Sequence, residues 1–117
     1  MLISLAVAIT GLIFLTFITI SIEPKEVRIS GLSDEFSGQE VIVKGTIDSY
    51  FSNKGNVFIT LKDGAEIKVV MFANDAEKQP WVYDLKKGDS ISVQGKVQIY
   101  KNELEIVAER IKAGSFA

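Results

Sequence analysis

A chain of 117 residues with a formal net charge of −2, no cysteine and no histidine excludes several classes of function. Without cysteine there is no disulfide framework, no thiol nucleophile and no sulfur ligand for a metal, and without histidine the commonest general base is also missing. We therefore expect one folded domain that is not an enzyme and that needs neither a cofactor nor a metal ion. The slight negative balance means that a polyanion could be held only by a locally basic face.

The first 22 residues predict a transmembrane helix that acts as an uncleaved signal anchor. Residues 2–22 contain no charged side chain, and at helical rise they cover about 30 Å of hydrocarbon. The alternative is a cleaved secretory signal, but nothing basic except the terminal amine precedes Leu2, and the apolar run is too long. Lys25 and Arg28 follow the run, which favours a single-pass membrane protein with a cytoplasmic domain, although nearby glutamates weaken this inference.

Residues 23–40 are predicted to form a linker and capping segment. Pro24 ends the preceding helix. Residues 27–29 are interpreted as a short strand or as a segment that lies against the domain. Ser33 to Gly38 is interpreted as one capped turn, with Ser33 or Asp34 at its start. The linker is short, so the domain is expected to lie close to the lipid headgroups.

From Val41 onward, aliphatic residues alternate with polar ones, which predicts strands with one buried face. Gly45 interrupts the first strand and indicates a bend or bulge, and Asp63-Gly64 predicts a tight hairpin turn between the second and third strands. The residues predicted to point inward are Val41, Val43 and Ile47 in the first strand, Val57, Ile59 and Leu61 in the second, and Ile67, Val69 and Met71 in the third.

A short helix is predicted between the third and fourth strands, over residues 73–79, with Pro80 as its stop. Phe72 and Trp81 beside it are assigned mainly to the core. Residues 90–99 form a second long alternation with a central glycine, and Lys101-Asn102 predicts a two-residue hairpin turn before a fifth strand. The sequence thus predicts an all-β, five-stranded barrel over residues 41–112, followed by a tail over residues 113–117.

These motifs resemble a known family, the OB-fold nucleic-acid-binding domains of the tRNA-anticodon and helicase type. The resemblance implies a Greek-key barrel and a binding surface on the outer face of its second and third strands, framed by the first and last hairpin loops. The motifs that carry it are Val41-x-Val43-x-Gly45-x-Ile47, Phe58-x-x-Leu61-x-Asp63-Gly64, Ile67-x-Val69-Val70-x-Phe72, Lys87-Gly88-Asp89-x-Ile91-x-Val93-x-Gly95-x-Val97 and Leu104-Glu105-Ile106.

Carried onto this chain, the resemblance implies a set of aromatic, hydroxyl and lysine side chains as binding residues. Acidic residues depart from what phosphate binding needs, since Asp48, Glu66, Glu103 and Glu105 lie near the same surface. The implied binding residues are Tyr50, Lys54, Phe58, Thr60, Lys62, Lys68, Tyr100 and Lys101, with Phe51, Asn53, Asn102 and Phe72 as neighbours.

Alternation places Phe58 out of phase with the inward residues of its strand and therefore predicts an outward aromatic ring, on which an unstacked base could lie. The alternative is a purely structural role, in which residues 27–40 or the segment around Trp81 cover this ring. We expect a membrane-anchored, non-catalytic module that binds single-stranded DNA or RNA by stacking and backbone charge. The alternative is an adaptor domain, outside the cytoplasm or within it, that binds a protein, peptide or glycan. The sequence leaves the oligomeric state open.

Overall fold

The computed structural model describes residues 24–113. The transmembrane helix predicted over residues 1–22 lies outside this part, as do residues 114–117 of the tail predicted over residues 113–117, whereas residue 113 belongs to the last strand. Within residues 24–113, no helix is both long enough and apolar enough to cross a membrane.

Strands account for most of the described chain, as the alternating sequence predicts. The strands are β1 (Lys25–Glu26), β2 (Glu40–Asn53), β3 (Asn56–Asp63), β4 (Ala65–Met71), β5 (Ser90–Tyr100) and β6 (Glu103–Ala113). One short helix, α1 (Ala73–Ala76), and 3₁₀ turns at Ile29–Gly31, Asp34–Phe36 and Pro80–Asp84 complete the fold.

The long strand β2 closes the sheet into a barrel because it pairs on both sides. Its second half is antiparallel to β3 and its first half is antiparallel to β5. The other neighbours are β3 with β4, β4 with β6 in parallel, and β6 with β5, so five strands form a closed ring. The predicted five-stranded barrel with a short helix between its third and fourth strands is confirmed.

Two glycines allow neighbouring strands to approach as closely as closure requires. A Cβ atom at Gly45 would lie 2.7 Å from the carbonyl oxygen of Lys62, and one at Gly95 would overlap the carbonyl oxygen of Val107. Any larger residue would push these strands apart. Gly45 is therefore required for the close approach of the strands, whereas the irregularity in the β2–β3 register falls between Ile47 and Ser49 rather than at Gly45.

The barrel interior is filled by the aliphatic residues that alternation predicts. All nine predicted inward residues of the first three barrel strands are buried, together with Ile91, Val93, Val97, Ile106 and Ile111 from β5 and β6. Each fully buried side chain of this size contributes about 1.5–3 kcal/mol relative to an exposed one. This interior supplies the main stabilising term of the domain.

The capping segment is partly as predicted. The short strand lies at Lys25–Glu26, parallel to the start of β2, rather than at residues 27–29. Ile29 instead begins a 3₁₀ turn and is buried in the core. The predicted turn after Ser33 is present over Asp34–Phe36, but no side-chain cap hydrogen bond is made by Ser33.

The assignment of Phe72 and Trp81 to the core is wrong. The side chains are 49% and 46% exposed, and the Trp81 indole Nε1 donates a hydrogen bond to the Ile111 carbonyl at 3.1 Å. Gln79 is the buried polar residue of the crossover, the segment that joins β4 to β5. Its Nε2 donates a hydrogen bond to the Glu109 carbonyl at 2.8 Å, and its Oε1 accepts one from the Ile111 amide at 2.9 Å. Gln79 therefore satisfies backbone groups of β6 as a neighbouring strand would.

Candidate nucleic-acid interface

A groove of about 590 Å³ runs across the outer face of β3 and β4 and is bordered by the ends of β2 and β5. This is the face on which the sequence predicts binding residues. Its lining is mostly aromatic and aliphatic, with a few polar groups, which suits a ligand with flat apolar surfaces. The lining residues are Ser49, Phe51, Phe58, Ile59, Thr60, Lys68, Val69, Val70, Phe72, Gln98, Tyr100 and Glu105.

Phe51 and Phe58 form the aromatic centre of this groove. The two residues are directly opposite each other in the β2–β3 pairing, and their ring centroids are 5.7 Å apart at an interplanar angle of 34°. Phe51 is 59% exposed and Phe58 is 39% exposed. The predicted outward orientation of Phe58 is confirmed, and within residues 24–113 no segment buries its ring.

Two further aromatic side chains border the groove. Tyr100, at the end of β5, is 56% exposed, and the Nζ of its neighbour Lys101 lies 5.4 Å from the Tyr100 ring centroid. Phe72 lies at the opposite side, directly after β4. The groove therefore presents several accessible rings, one of them beside a cation, and bases can stack on such rings.

Tyr50 does not line this groove. A register shift follows Ile47 in β2 and changes which residues face inward, so Tyr50 packs against the core and its neighbour Phe51 faces outward. The Tyr50 hydroxyl donates a hydrogen bond to the Val82 carbonyl at 2.7 Å. Burial raises the pKa of the Tyr50 phenol, and Tyr83 and Asp84 raise it further. Its contacts are those of a structural residue.

The predicted lysines are distributed around the groove rather than gathered in it. Lys54 is exposed in the β2–β3 turn, at a backbone φ of 54°, and does not line the groove. Lys62 is exposed on β3 opposite Glu66 of β4 and also lies outside the lining. Of the predicted cations, the structure places Lys68 in the groove and Lys101 at its border.

A second groove of about 660 Å³ adjoins the first. Thr60 and Lys68 line both grooves, so the two meet on the outer face of β3 and β4. The second groove passes between the capping segment and the β3–β4 and β5–β6 hairpins. Its lining residues are Ile29, Ser30, Leu32, Asp34, Thr60, Ala65, Glu66, Ile67, Lys68, Asn102, Glu103 and Leu104.

Lys68 is the only cation among the described residues that line either groove. Its Nζ lies 3.0 Å from the Glu103 Oε2, and the hydrogen bond with Glu103, followed by the attraction of its charge, raises the pKa of Lys68. Three further carboxylates line the two grooves, on Asp34, Glu66 and Glu105. The electrostatic contribution to phosphate binding is therefore small at this surface.

One lining residue, Gln98, was missed by sequence reasoning. Gln98 precedes Tyr100 by two positions in β5 and therefore shares its outer face. Its Nε2 lies 3.4 Å from the Glu105 Oε1, so an amide and a carboxylate lie together in the groove. The spacing of two residues from Tyr100 along the predicted strand was the signal that could have identified Gln98. Within residues 24–113, no group of three or more Asp, Glu, His or Cys side chains could hold a metal ion.

The closed five-stranded barrel and its exposed aromatic groove define an oligomer-binding barrel of the OB type. Residues 41–113 match the tRNA-anticodon family, described as OB-fold nucleic acid binding domains. This match covers more than half of the sequence. The chain belongs to that family.

Individual relatives agree with this assignment. The aspartate–tRNA ligase of Enterococcus faecalis is 27% identical over 94 residues, which are 80% of this chain and 16% of the ligase. The structure of Entamoeba histolytica asparaginyl-tRNA synthetase with asparaginyl-adenylate superposes with a TM-score of 0.69 at 21% identity, covering 80% of this chain and 24% of the synthetase. The structure of an OBody bound to hen egg-white lysozyme superposes with a TM-score of 0.67 at 20% identity, covering 81% of this chain and 99% of the OBody. The two structural matches show a shared fold.

Proposed function

We propose that this chain is a non-catalytic module that binds single-stranded DNA or RNA, with bases stacked in the aromatic groove. The observation that carries this proposal is the exposed Phe51–Phe58 pair on the face where OB-folds bind oligomers. Stacking of a base on an aromatic ring contributes about 1–3 kcal/mol and tolerates every base. Membership of a nucleic-acid-binding family supports the same ligand class.

Backbone charge adds little to binding in this proposal. Each phosphate neutralised on a single strand contributes about −0.7 to the slope of log K against log salt, and Lys68 is the one cation available inside the described grooves. We therefore expect a shallow salt dependence and little discrimination between bases. Duplex DNA, whose bases are already stacked, should bind much more weakly than a single strand.

The proposed module is held at a membrane by residues 2–22. This part of the proposal depends on the sequence, because the uncharged apolar run is long enough to span a bilayer. Lys25 and Arg28 favour a cytoplasmic location for the domain, where DNA or RNA would be accessible. Protease protection of the barrel in sealed vesicles, with detergent-permeabilised vesicles as the control, tests this orientation.

The absence of a catalytic role is proposed from residue chemistry. The sequence contains neither histidine nor cysteine, which removes the commonest general base and the thiol nucleophile. The carboxylate of Glu105, which lines the aromatic groove, lies beside the Gln98 amide. Incubation of the full chain with labelled oligonucleotides, followed by gel analysis, should show no cleavage.

A second candidate function is binding of a protein, a peptide or a glycan through the same surface. The balance of four carboxylates to one lysine along the two grooves favours this candidate, because it would attract a basic segment more readily than a phosphate. The similar OBody bound to lysozyme also supports a protein partner for a barrel of this shape. An adaptor of this kind could act on either side of the membrane.

Fluorescence anisotropy distinguishes the two candidates. The full chain, kept in a non-ionic detergent, is titrated into labelled single-stranded DNA, single-stranded RNA and duplex DNA between about 50 and about 200 mM salt. The nucleic-acid proposal predicts saturable binding to the single strands and a small loss of affinity with salt. Absence of binding at the lowest salt concentration would rule it out and leave the adaptor function.

A further inference from the structure

The junction between the two grooves is occupied by an ion pair. Lys68 lies on the outer face of β4, where it lines both grooves, and its Nζ is 3.0 Å from the Glu103 Oε2. Both side chains remain largely exposed, at 67% and 63%. A single-stranded nucleic acid that passes from the aromatic groove into the second groove must therefore cross this ion pair.

The strand register builds this contact. β4 and β6 are parallel, with Lys68 paired to Glu105, and Glu103 lies two residues before Glu105 on the same face of β6. The tight turn at Lys101 and Asn102, with φ values of 51° and 65°, fixes where β6 begins. The backbone thus places Glu103 within reach of Lys68.

The exposure of the pair makes it easy to exchange. Exposed ion pairs contribute little net stability, and a carboxylate that loses its partner while facing water carries no buried-charge penalty. A phosphate offers Lys68 a charged acceptor equivalent to the Glu103 carboxylate. A lysine ammonium is protonated at neutral pH at its ordinary pKa, so Lys68 keeps its positive charge when Glu103 moves away.

We infer that Glu103 is a specificity-determining residue of this interface: it occupies Lys68 in the free protein and releases it to a phosphate when a single strand spans both grooves. This inference rests on the proposed function. Competition by Glu103 reduces what backbone charge contributes, so a ligand must also stack its bases on Phe51 and Phe58 to bind. Single strands meet that condition, and a duplex does not.

The test measures the affinity of the full chain, in non-ionic detergent, for a fluorescein-labelled oligothymidylate of about 12 nucleotides, a length within the range that one OB-fold covers. Glu103→Gln keeps the size of the side chain but frees Lys68, and we expect affinity to rise about two- to fivefold, the range set by loss of an exposed ion pair. In a Lys68→Met background the same substitution should give no gain, because no cation is left to release.

Glu26→Gln is the matched control. Glu26 forms an ion pair of the same 3.0 Å length with Lys44, also on the surface, and neither residue lines either groove. Like Glu103→Gln, the Glu26→Gln substitution removes one negative charge and breaks one exposed ion pair. An equal gain in affinity for the oligothymidylate would therefore indicate a general electrostatic effect and overturn the inference.

The remaining outcomes separate the inference from the function on which it rests. If the natural sequence binds but Glu103→Gln leaves affinity unchanged, or if the gain persists with Lys68→Met, then Glu103 does not act through Lys68 and the inference alone fails. If neither the natural sequence nor Glu103→Gln binds the oligomer at low salt, the proposed function fails together with it.

Discussion

The two hairpins that border the aromatic groove are joined to the barrel in different ways. At the tip of the β2–β3 hairpin, the Gly55 carbonyl accepts a hydrogen bond from the Tyr83 hydroxyl at 2.8 Å. The Asn56 Oδ1 accepts another from the Ala73 amide, also at 2.8 Å. At the β5–β6 hairpin, the side-chain contact to β4 is the exposed ion pair between Glu103 and Lys68, next to the backbone pairing of Glu105 with Lys68.

From this difference we expect the β2–β3 hairpin to be a fixed border of the groove and the β5–β6 hairpin to be an adjustable one. Hydrogen bonds to backbone groups contribute about 0.5–1.5 kcal/mol each, whereas exposed ion pairs contribute about 0–1 kcal/mol. The fixed hairpin carries Phe51 and Phe58, and the adjustable one carries Tyr100 and Glu103. In the proposed function, such a groove would keep Phe51 and Phe58 in place while the opposite border adjusts to the ligand.

Leu61→Ala should produce the largest effect, because it removes a fully buried side chain from the barrel core. Leu61 is fully buried in β3, and truncation of such a residue costs about 2–5 kcal/mol. Chemical denaturation of the full chain in detergent measures the loss. Lys62→Ala, at the exposed neighbouring position, is the control and should change stability by less than about 0.5 kcal/mol. Equal losses in the two variants would mean that the inward register of β3 is wrong.

Phe58→Ala tests base stacking at the fixed border and leaves the hydrogen bonds of the β2–β3 hairpin in place. Loss of the ring should weaken single-strand binding by about 1–3 kcal/mol while the barrel remains folded, because the side chain is partly exposed. Anisotropy titrations measure binding and far-ultraviolet circular dichroism measures folding. Unchanged affinity with an intact fold would show that bases do not stack at this position.

Tyr83→Phe should loosen the fixed hairpin by removing the hydroxyl that bonds to Gly55. We expect a stability loss of about 0.5–1.5 kcal/mol, together with faster amide exchange at the hairpin tip. Tyr100→Phe is the matched control in the other hairpin, since Tyr100 is also an exposed tyrosine, and stability should change by less than about 0.5 kcal/mol. If the control lost as much stability, the contrast between the hairpins would disappear.

Glu103→Gln should have the smallest effect on stability. It breaks the ion pair of the adjustable hairpin, and we expect the free energy of unfolding to change by less than about 0.5 kcal/mol. Thermal unfolding of the full chain at low salt measures the difference. A loss of stability larger than that of Tyr83→Phe would mean that the β5–β6 hairpin is held more firmly than the β2–β3 hairpin, which contradicts the comparison.

Sequence reasoning succeeded where one physical rule decides the outcome. Alternation identified the barrel strands and the inward aliphatics, and the outward position of Phe58 followed from the same rule. The rule fails at the register shift after Ile47, because one extra residue in β2 turns Tyr50 inward and Phe51 outward. A bulge leaves no clear trace in composition, so the sequence does not show that Tyr50 packs against the core while Phe51 lines the groove.

The crossover after β4 was predicted less well, because its contacts join distant parts of the chain. Gln79 and Trp81 bond to backbone groups of β6 that lie 30 or more positions away. Apolar bulk suggested that Trp81 was internal, but its ring lies over the barrel with its nitrogen directed to Ile111. The ion pair between Lys68 and Glu103 was missed for the same reason, since only the parallel pairing of β4 with β6 brings these strands together.

Nuclear magnetic resonance of the full chain in detergent micelles, with phenylalanine rings selectively labelled, tests base stacking most directly. On addition of a single-stranded oligonucleotide, the Phe51 and Phe58 ring signals should shift upfield, as rings do when a base stacks on them. Phe36, half-buried in the capping segment and outside both grooves, is the internal reference and should not move. Unmoved Phe51 and Phe58 signals at saturating oligonucleotide would contradict the account.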